Sequence, residues 1–281
     1  MFTLNCRGKL LKADKPLVMG IINTTPDSFY EGSRFQGKDG VLRQAEKMLK
    51  EGAALLDIGG QSTRPSAGRI GPGEELGRVI SAIESLHYNF PDALISIDTY
   101  YSQVAEEAVA AGACIINDIG GGTLDEQMIP LAGRLGVPYI CMHIRGNPSN
   151  MNEYANYENV TRDVINYFIK KTAECREAGI KDLIIDPGFG FAKKASHNYE
   201  LLRNLALFRI FEKPVLLGIS RKRMIYRTLN GTAEEALNGT TALNMAGLMG
   251  GAGILRVHDV KEAVETIRLY EALEGKAERS L

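Results

Sequence analysis

The chain has almost no charge of one sign to spare. Its formal balance is −1 over 281 residues, so no net field draws it to nucleic acid or to an anionic membrane surface. Local basic clusters remain free to bind small anions. Long apolar runs are missing too, and none approaches the ~20 residues that span a bilayer. The opening stretch MFTLNCRGKLLKADKP is too polar for a secretory signal. Cysteines are few: Cys6, Cys114, Cys141 and Cys175 are scattered, with no CxxC or other metal spacing. Cys114 and Cys141 fall in expected strands and read as buried thiols, which fits a reducing compartment and a cytoplasmic location. No GxGxxG turn follows the first strand, which argues against an open dinucleotide-binding sheet. No linker-like break divides residues 1–281, so a single domain is expected.

What is present is a repeating alternation. Hydrophobic residues make up 44% of the chain, enough for a sizeable core. Short apolar runs at 17–22, 54–58, 94–97, 113–116, 138–142, 183–185, 214–219 and 253–255 read as strands. Helical spacing separates them, at about 41–51, 74–87, 102–111, 125–134, 158–178, 198–208, 233–249 and 260–273. In the first of these helices Val41, Ala45, Met48 and Leu49 share one side. In the fifth, Val160, Val164, Phe168 and Cys175 form a buried stripe, with Thr172 filling its gap. Strict βα alternation implies a parallel sheet. Eight repeats, with strands apolar on both faces, point to an α/β fold, a (β/α)8 TIM barrel.

In that fold the site lies at the C-terminal ends of the strands. The clearest strand tip is Leu183-Ile184-Ile185-Asp186, followed by Pro187-Gly188-Phe189-Gly190-Phe191. A carboxylate at the end of a buried strand is unfavourable unless it is paired. It serves either to cap the next helix or to bind a ligand. Other strands end in Asn23, Thr63-Arg64, Asp98, Asn117, His143 to Arg145, Lys222, and Arg256 with His258. Asp98, Asn117 and Asp186 offer acceptors, which suits a flat heterocycle with several ring N–H groups and an exocyclic amine. Arg64, Lys222, Arg256 and His258 offer cationic donors suited to a phosphate or pyrophosphate. Lys222 is alternatively placed for a Schiff base, as in barrel aldolases. Asn23 is a weak metal signal, but Mg²⁺ often takes one protein oxygen together with substrate phosphates. The glycine-rich turns at 59–60 and 120–122 either let backbone approach a ligand or simply make tight turns.

The motifs together resemble the dihydropteroate synthase family along nearly the whole chain. They are GIINTTPDSF at 20–29, DIGGQSTRP at 57–65, SIDT at 96–99, IND at 116–118, DPGFGF at 186–191, SRK at 220–222 and RVHD at 256–259. The resemblance implies a transferase that joins 6-hydroxymethyl-7,8-dihydropterin diphosphate to 4-aminobenzoate, giving 7,8-dihydropteroate and pyrophosphate. It implies a dissociative mechanism with Mg²⁺ as cofactor. Carried over by position, Asp98, Asn117, Asp186 and Lys222 would hold the pterin. Arg256 would stack on the ring and face the diphosphate. Asn23 and His258 would bind the diphosphate, with Asn23 also meeting the metal. Thr63, Arg64, Pro65, Phe191 and the loop from Thr24 to Glu31 would shape the aminobenzoate pocket. The catalytic set implied is Lys222, Asp98, Asp186 and Arg256. Small-molecule substrates and a homodimer are the expected partners. The late helix around 236–249 is one candidate dimer face, although packing within one barrel accounts for its composition equally well.

This sequence departs from the family pattern in places. Gln61 stands where Glu is frequent, Ser66 where Gly is usual, and Tyr30-Glu31-Gly32 where Ser-Asp-Gly is common. These positions lie on the aminobenzoate side, which sulfonamides mimic. The competing class is the related pterin-binding barrel of corrinoid-dependent methyltransferases. That module has no use for Lys222, Arg256 and His258 on a diphosphate side, and all three are present.

Overall fold

The computed structural model describes residues 2–24, 34–61 and 70–275. Eight parallel strands form its central sheet: β3 (Leu17–Asn23), β4 (Leu55–Gly59), β5 (Leu94–Asp98), β6 (Ile115–Asp118), β7 (Tyr139–Met142), β8 (Leu183–Asp186), β9 (Leu216–Leu217) and β10 (Ile254–Val257). Neighbours run β8-β7-β6-β5-β4-β3-β10-β9. The two ends of that order meet through one bridge, Ile185 to Val215, and the Ile185 N–H donates to the Pro214 carbonyl at 3.0 Å. The sheet is therefore a closed (β/α)8 barrel, as the alternation predicts.

Helices surround it: α1 (Arg34–Lys50), α2 (Pro72–Asn89), α3 (Ser102–Ala111), α4 (Met128–Leu135), α5 (Val160–Glu177), α6 (Ala195–Arg203), α7 (Arg223–Thr228), α8 (Leu237–Met249) and α9 (Val260–Leu273). Their apolar stripes pack on the outward face of the strands in one continuous core. On α5 the buried residues are Val160, Thr161, Val164, Phe168 and Cys175, the stripe read from spacing. Among the described residues no helix is long and apolar enough to cross a membrane.

The barrel interior changes character from bottom to top. Its lower layer is apolar, with Met19, Leu55, Ile115, Ile140, Ile184, Leu216 and Ile254 in one buried cluster. Above it the inward positions are Asp57, Ser96, Asp98, Asn117, Asp186 and Arg256. Strand period puts residues two apart on the same face. Leu55 and Asp57 share a face, as do Ile184 and Asp186, or Ile254 and Arg256.

Several parts of the fold depart from the sequence reading. The first is an antiparallel hairpin, β1 (Phe2–Cys6) and β2 (Lys9–Ala13), where only a polar leader was noted. Arg7 and Gly8, both at positive φ, make its two-residue turn. Leu4, Cys6 and Ala13 cover the apolar bottom layer. The second is the strand expected over 214–219, of which only Leu216–Leu217 is regular. Pro214 has no N–H to give, and past Gly218 the chain turns to pair Lys222 N–H with the Ile219 carbonyl. The third is the helix expected at 198–208. It begins earlier, at Ala195, and past Arg203 it tightens into a 3-10 segment, Leu205–Phe211, that buries Leu205 and Phe208. The six-residue α7, too short to show a period, was not anticipated.

Candidate active site

The polar layer of the barrel is knitted around Arg256. Its Nε donates to Asp57 Oδ2 at 2.6 Å and its Nη2 to Asp98 Oδ2 at 2.5 Å. Asp57 Oδ2 also accepts the amide of Asn117 at 2.9 Å. A single buried carboxylate thus fixes both the guanidinium plane and the direction of the Asn117 amide. Burial would by itself lower the Arg256 pKa, but Asp57 and Asp98 overturn this and hold it up, so the side chain stays cationic. Asp98 is pushed up to about 7, chiefly by burial and further by Asp57, while Arg256 opposes the shift. Asp57 Oδ1 and Ser96 Oγ are buried without a protein partner among the described residues. The two residues are register neighbours on β4 and β5.

Asp186 and Lys222 form the other wall. Asp186 Oδ1 accepts the Gly188 N–H at 2.8 Å. Burial raises its pKa, and Lys222, the Gly188 amide, Arg256 and Lys193 pull it back. Lys222 Nζ donates to the Phe189 carbonyl at 2.5 Å and lies 4.7 Å from the centre of the Phe191 ring. Burial brings its pKa down to about 8, against the pull of Asp186. Gly218 leaves a gap between the two: a Cβ there would stand 3.9 Å from both Asp186 Oδ2 and Lys222 Nζ. The turn after β8 needs glycine at its start. Gly188 has φ +72°, and a Cβ would come within 2.0 Å of the His143 carbonyl.

Asn23 ends β3 and faces the same mouth. Its Oδ1 and Asp98 Oδ2 each lie 3.6 Å from where a Cβ on Gly59 would stand. Among the described residues no cluster of three or more His, Cys, Asp or Glu is arranged to hold a metal ion. The donors here suit a hard cation shared with an anionic ligand, not a site made of protein alone. His258 turns its Nδ1 onto Ser220 Oγ at 2.9 Å, a partly buried contact. Desolvation, Arg256, Arg221 and Lys222 hold its imidazole below the ordinary value.

The expected residues Asn23, Asp98, Asn117, Asp186, Phe191, Lys222, Arg256 and His258 therefore converge on one mouth. Thr63, Arg64, Pro65 and residues 25–31 of the first loop lie outside the described residues. His143 and Arg145 do not join. His143 is buried behind the β8 turn, and Arg145 is spent on Asp163 and on the Tyr157 ring. Arg221, adjacent to Lys222 in the chain, grips Asp259 with two bonds of 2.8 and 2.7 Å and so ties the β9 and β10 tips together. Gln61 donates to the buried Glu75 at 2.6 Å and accepts from the Tyr100 hydroxyl at 2.9 Å. Burial raises the Glu75 carboxyl. The residue missed outright was Asp57, although a carboxylate in the middle of Leu-Leu-Asp-Ile was a visible signal.

Comparison with known proteins gives this arrangement a family. The pattern of the pterin-binding enzymes matches residues 19–258. Dihydropteroate synthase of Escherichia coli K12 is 44% identical over 272 residues, 96% of this chain and 95% of that one. The Bacillus subtilis dihydropteroate synthase is 40% identical over 265 residues, 94% and 90% of the two chains. Among solved structures, the Yersinia pestis dihydropteroate synthase in a sulfonamide drug complex superposes with TM-score 0.89 at 41% identity, covering 98% and 99% of the chains. The Xanthomonas albilineans dihydropteroate synthase with 4-aminobenzoic acid gives 0.90 at 36% identity, covering 97% and 98%. With the barrel, its polar mouth and near-complete coverage in agreement, the chain belongs to the pterin-binding enzymes and, within them, to the dihydropteroate synthase family.

Proposed function

We propose that the enzyme condenses 6-hydroxymethyl-7,8-dihydropterin diphosphate with 4-aminobenzoate, forming 7,8-dihydropteroate and pyrophosphate. The observation that carries this reading is the facing pair of walls in the barrel mouth, Asp98 with Asn117 and Asp186 with Lys222, with Arg256 between them. Related Xanthomonas albilineans structures hold 4-aminobenzoic acid and 7,8-dihydropteroate, which supports the same ligands here.

A flat pterin suits this mouth. Asp186 and Asn117 offer acceptors to the ring N–H and exocyclic amine, and Lys222 offers a donor to a ring acceptor. Arg256 can lie against the ring face while its charge meets the diphosphate. Asn23 and His258 flank the diphosphate, and Phe191 borders the side where 4-aminobenzoate arrives, with Thr63, Arg64 and Pro65 assigned to that pocket by motif. Mg²⁺, when bound with substrate, supplies positive charge to the diphosphate oxygens, and Asn23 is the side chain that would hold it.

The chemistry follows a dissociative course. The bond between the exocyclic carbon and oxygen breaks, and its electron pair leaves with pyrophosphate. Arg256 and Lys222 stabilise the departing negative charge, while the Asp98 and Asp186 carboxylates favour the pterin cation left behind. The neutral arylamine then attacks the carbon and loses a proton to solvent. Met249, Leu269 and Leu273 are exposed on α8 and α9, which supports the homodimer reading.

The test is pyrophosphate release with Mg²⁺ and the pterin diphosphate, with and without 4-aminobenzoate. A dihydropteroate product that Lys222→Ala or Asp186→Asn suppresses is the expected result. Pterin binding by folded protein without any product would overturn the reading.

A further inference from the structure

Lys193 is a charged side chain that the mouth does not use, yet it is only 8% exposed. It sits where the turn after β8 runs into α6. Its Nζ lies 2.9 Å from the Gly188 carbonyl, 3.1 Å from the Phe191 carbonyl and 2.9 Å from His143 Nδ1. An ammonium has three N–H donors and no acceptor. Two of its three contacts are on the turn and the third is at the end of β7. Burial pushes the Lys193 pKa well down and Asp186 opposes this; charged or neutral, Nζ donates to both carbonyls, and the His143 tautomer sets which way the third bond runs. Burial, Lys193 and Arg145 keep that imidazole neutral, and the Tyr157 and Tyr167 rings pack beside it.

The turn's own backbone contributes one closing bond, from the Phe191 N–H to the Gly188 carbonyl at 3.1 Å, and its surroundings supply the rest. Gly188, Gly190 and Ala192 all have positive φ, at 72°, 81° and 50°. For Ala192, which has a Cβ, this conformation is strained, while the two glycines adopt it freely. Such a segment persists only when its surroundings fix it. Asn198 provides one restraint, accepting the Gly190 N–H at 2.8 Å. Lys193 supplies a further one, and it grips the two carbonyls that bracket Phe189 and Gly190. That bracketed stretch carries what Lys222 needs, the Phe189 carbonyl and the Phe191 ring, and its first amide holds Asp186.

We propose that Lys193 is a positioning residue, fastening the 188–191 turn to His143 so that Lys222, Asp186 and Phe191 hold their places in the substrate mouth. This deepens the synthase reading and rests on it. Its distinctive consequence is that Lys193 acts on substrate affinity while touching no substrate.

The test uses the full-length enzyme and three variants. Lys193→Met keeps the length and removes the donors. Lys193→Gln keeps two donors and reads the same way should the first fail to fold. Phe208→Leu, a core change in the 3-10 segment after α6 that packs against Phe168, serves as a control for plain loss of stability. Expected is a rise of about 10- to 100-fold in KM for the pterin diphosphate with Lys193→Met, the scale of an ångström-sized misplacement. Lys193→Gln should give a smaller rise, and Phe208→Leu should leave KM within about twofold despite its lower Tm. The acid limb of kcat/KM should also move to higher pH in Lys193→Met. Asp186 there loses one of the positive groups facing it and keeps Lys222, Arg256 and the Gly188 amide. Lys193 variants that lose Tm like the control, with unchanged KM and pH profile, would overturn the proposal. Wild-type enzyme inactive toward both substrates would overturn the activity reading instead.

Discussion

Asp57→Asn is the most informative single change in the mouth. Asp57 is fully buried on β4 and its Oδ2 receives both Arg256 and Asn117. A hydrogen bond to a charged group contributes about 1.5–3 kcal/mol, against about 1 kcal/mol for a neutral one. Asparagine retains an acceptor of the same shape, so the net loss at Arg256 is about 0.5–2 kcal/mol. Asp98 still holds the other end of the guanidinium, which keeps the loss from growing to the 3–5 kcal/mol of an orphaned buried charge. If the loss falls on transition-state binding, it corresponds to about 2- to 30-fold in kcat/KM. Steady-state kinetics on Asp57→Asn, Arg256→Met and the double variant measure it. Since Asp57 is argued to act through Arg256, the double variant should be little worse than Arg256→Met alone, with a coupling of about 1 kcal/mol or more. Fully additive losses, or wild-type kcat/KM in Asp57→Asn, would refute the linkage.

Other consequences can be checked directly. With Lys222 brought down to about 8, kcat/KM for the pterin substrate should fall above that pH as the ammonium is lost, and in Lys222→Arg, which does not titrate, the basic limb should vanish from the residual activity. Gly188→Ala forces a Cβ within 2.0 Å of the His143 carbonyl at φ +72°, so a thermal melt should report about 2–5 kcal/mol of lost stability. Gln61→Glu would set two carboxyls in a contact now 2.6 Å long beside the buried Glu75. Carboxyls raised in the folded state stabilise it below their unfolded values and lose that contribution as pH rises through the folded ones, so the Tm deficit of this variant should widen from about pH 5 to pH 8.

Much of the architecture was legible because barrel strands are buried on both faces and so read as short apolar runs. Strand tips could then be read as a site, and Asp98, Asn117, Asp186 and Arg256 do meet there. What escaped reading depended on partners remote in sequence. Asp57 pairs with Arg256, 199 residues away, and a mid-strand carboxylate alone does not name its cation. Arg221 and Lys222 are adjacent, yet one is tied to Asp259 and the other faces the mouth, a distinction set by the positive φ of Arg221. Lys193 looks like any surface lysine until the turn folds over it. The β1/β2 hairpin was hidden because β2 puts Leu10 outward beside Lys9 and Lys12 and so breaks the strand period, leaving the alternation of Phe2, Leu4 and Cys6 to mark it.

The barrel is also a hoop with a weak joint. Most neighbouring strands share three to five register pairs, whereas β8 and β9 meet at the single Ile185–Val215 bridge. Asp186 and Lys222 stand on opposite lips of that joint. A ligand gripping both acts as a rivet, adding hoop tension where the backbone supplies least. Occupancy of the mouth should therefore slow hydrogen exchange at Ile185 more than at strands across the ring, so that substrate clamps shut the seam through which the barrel would otherwise open first.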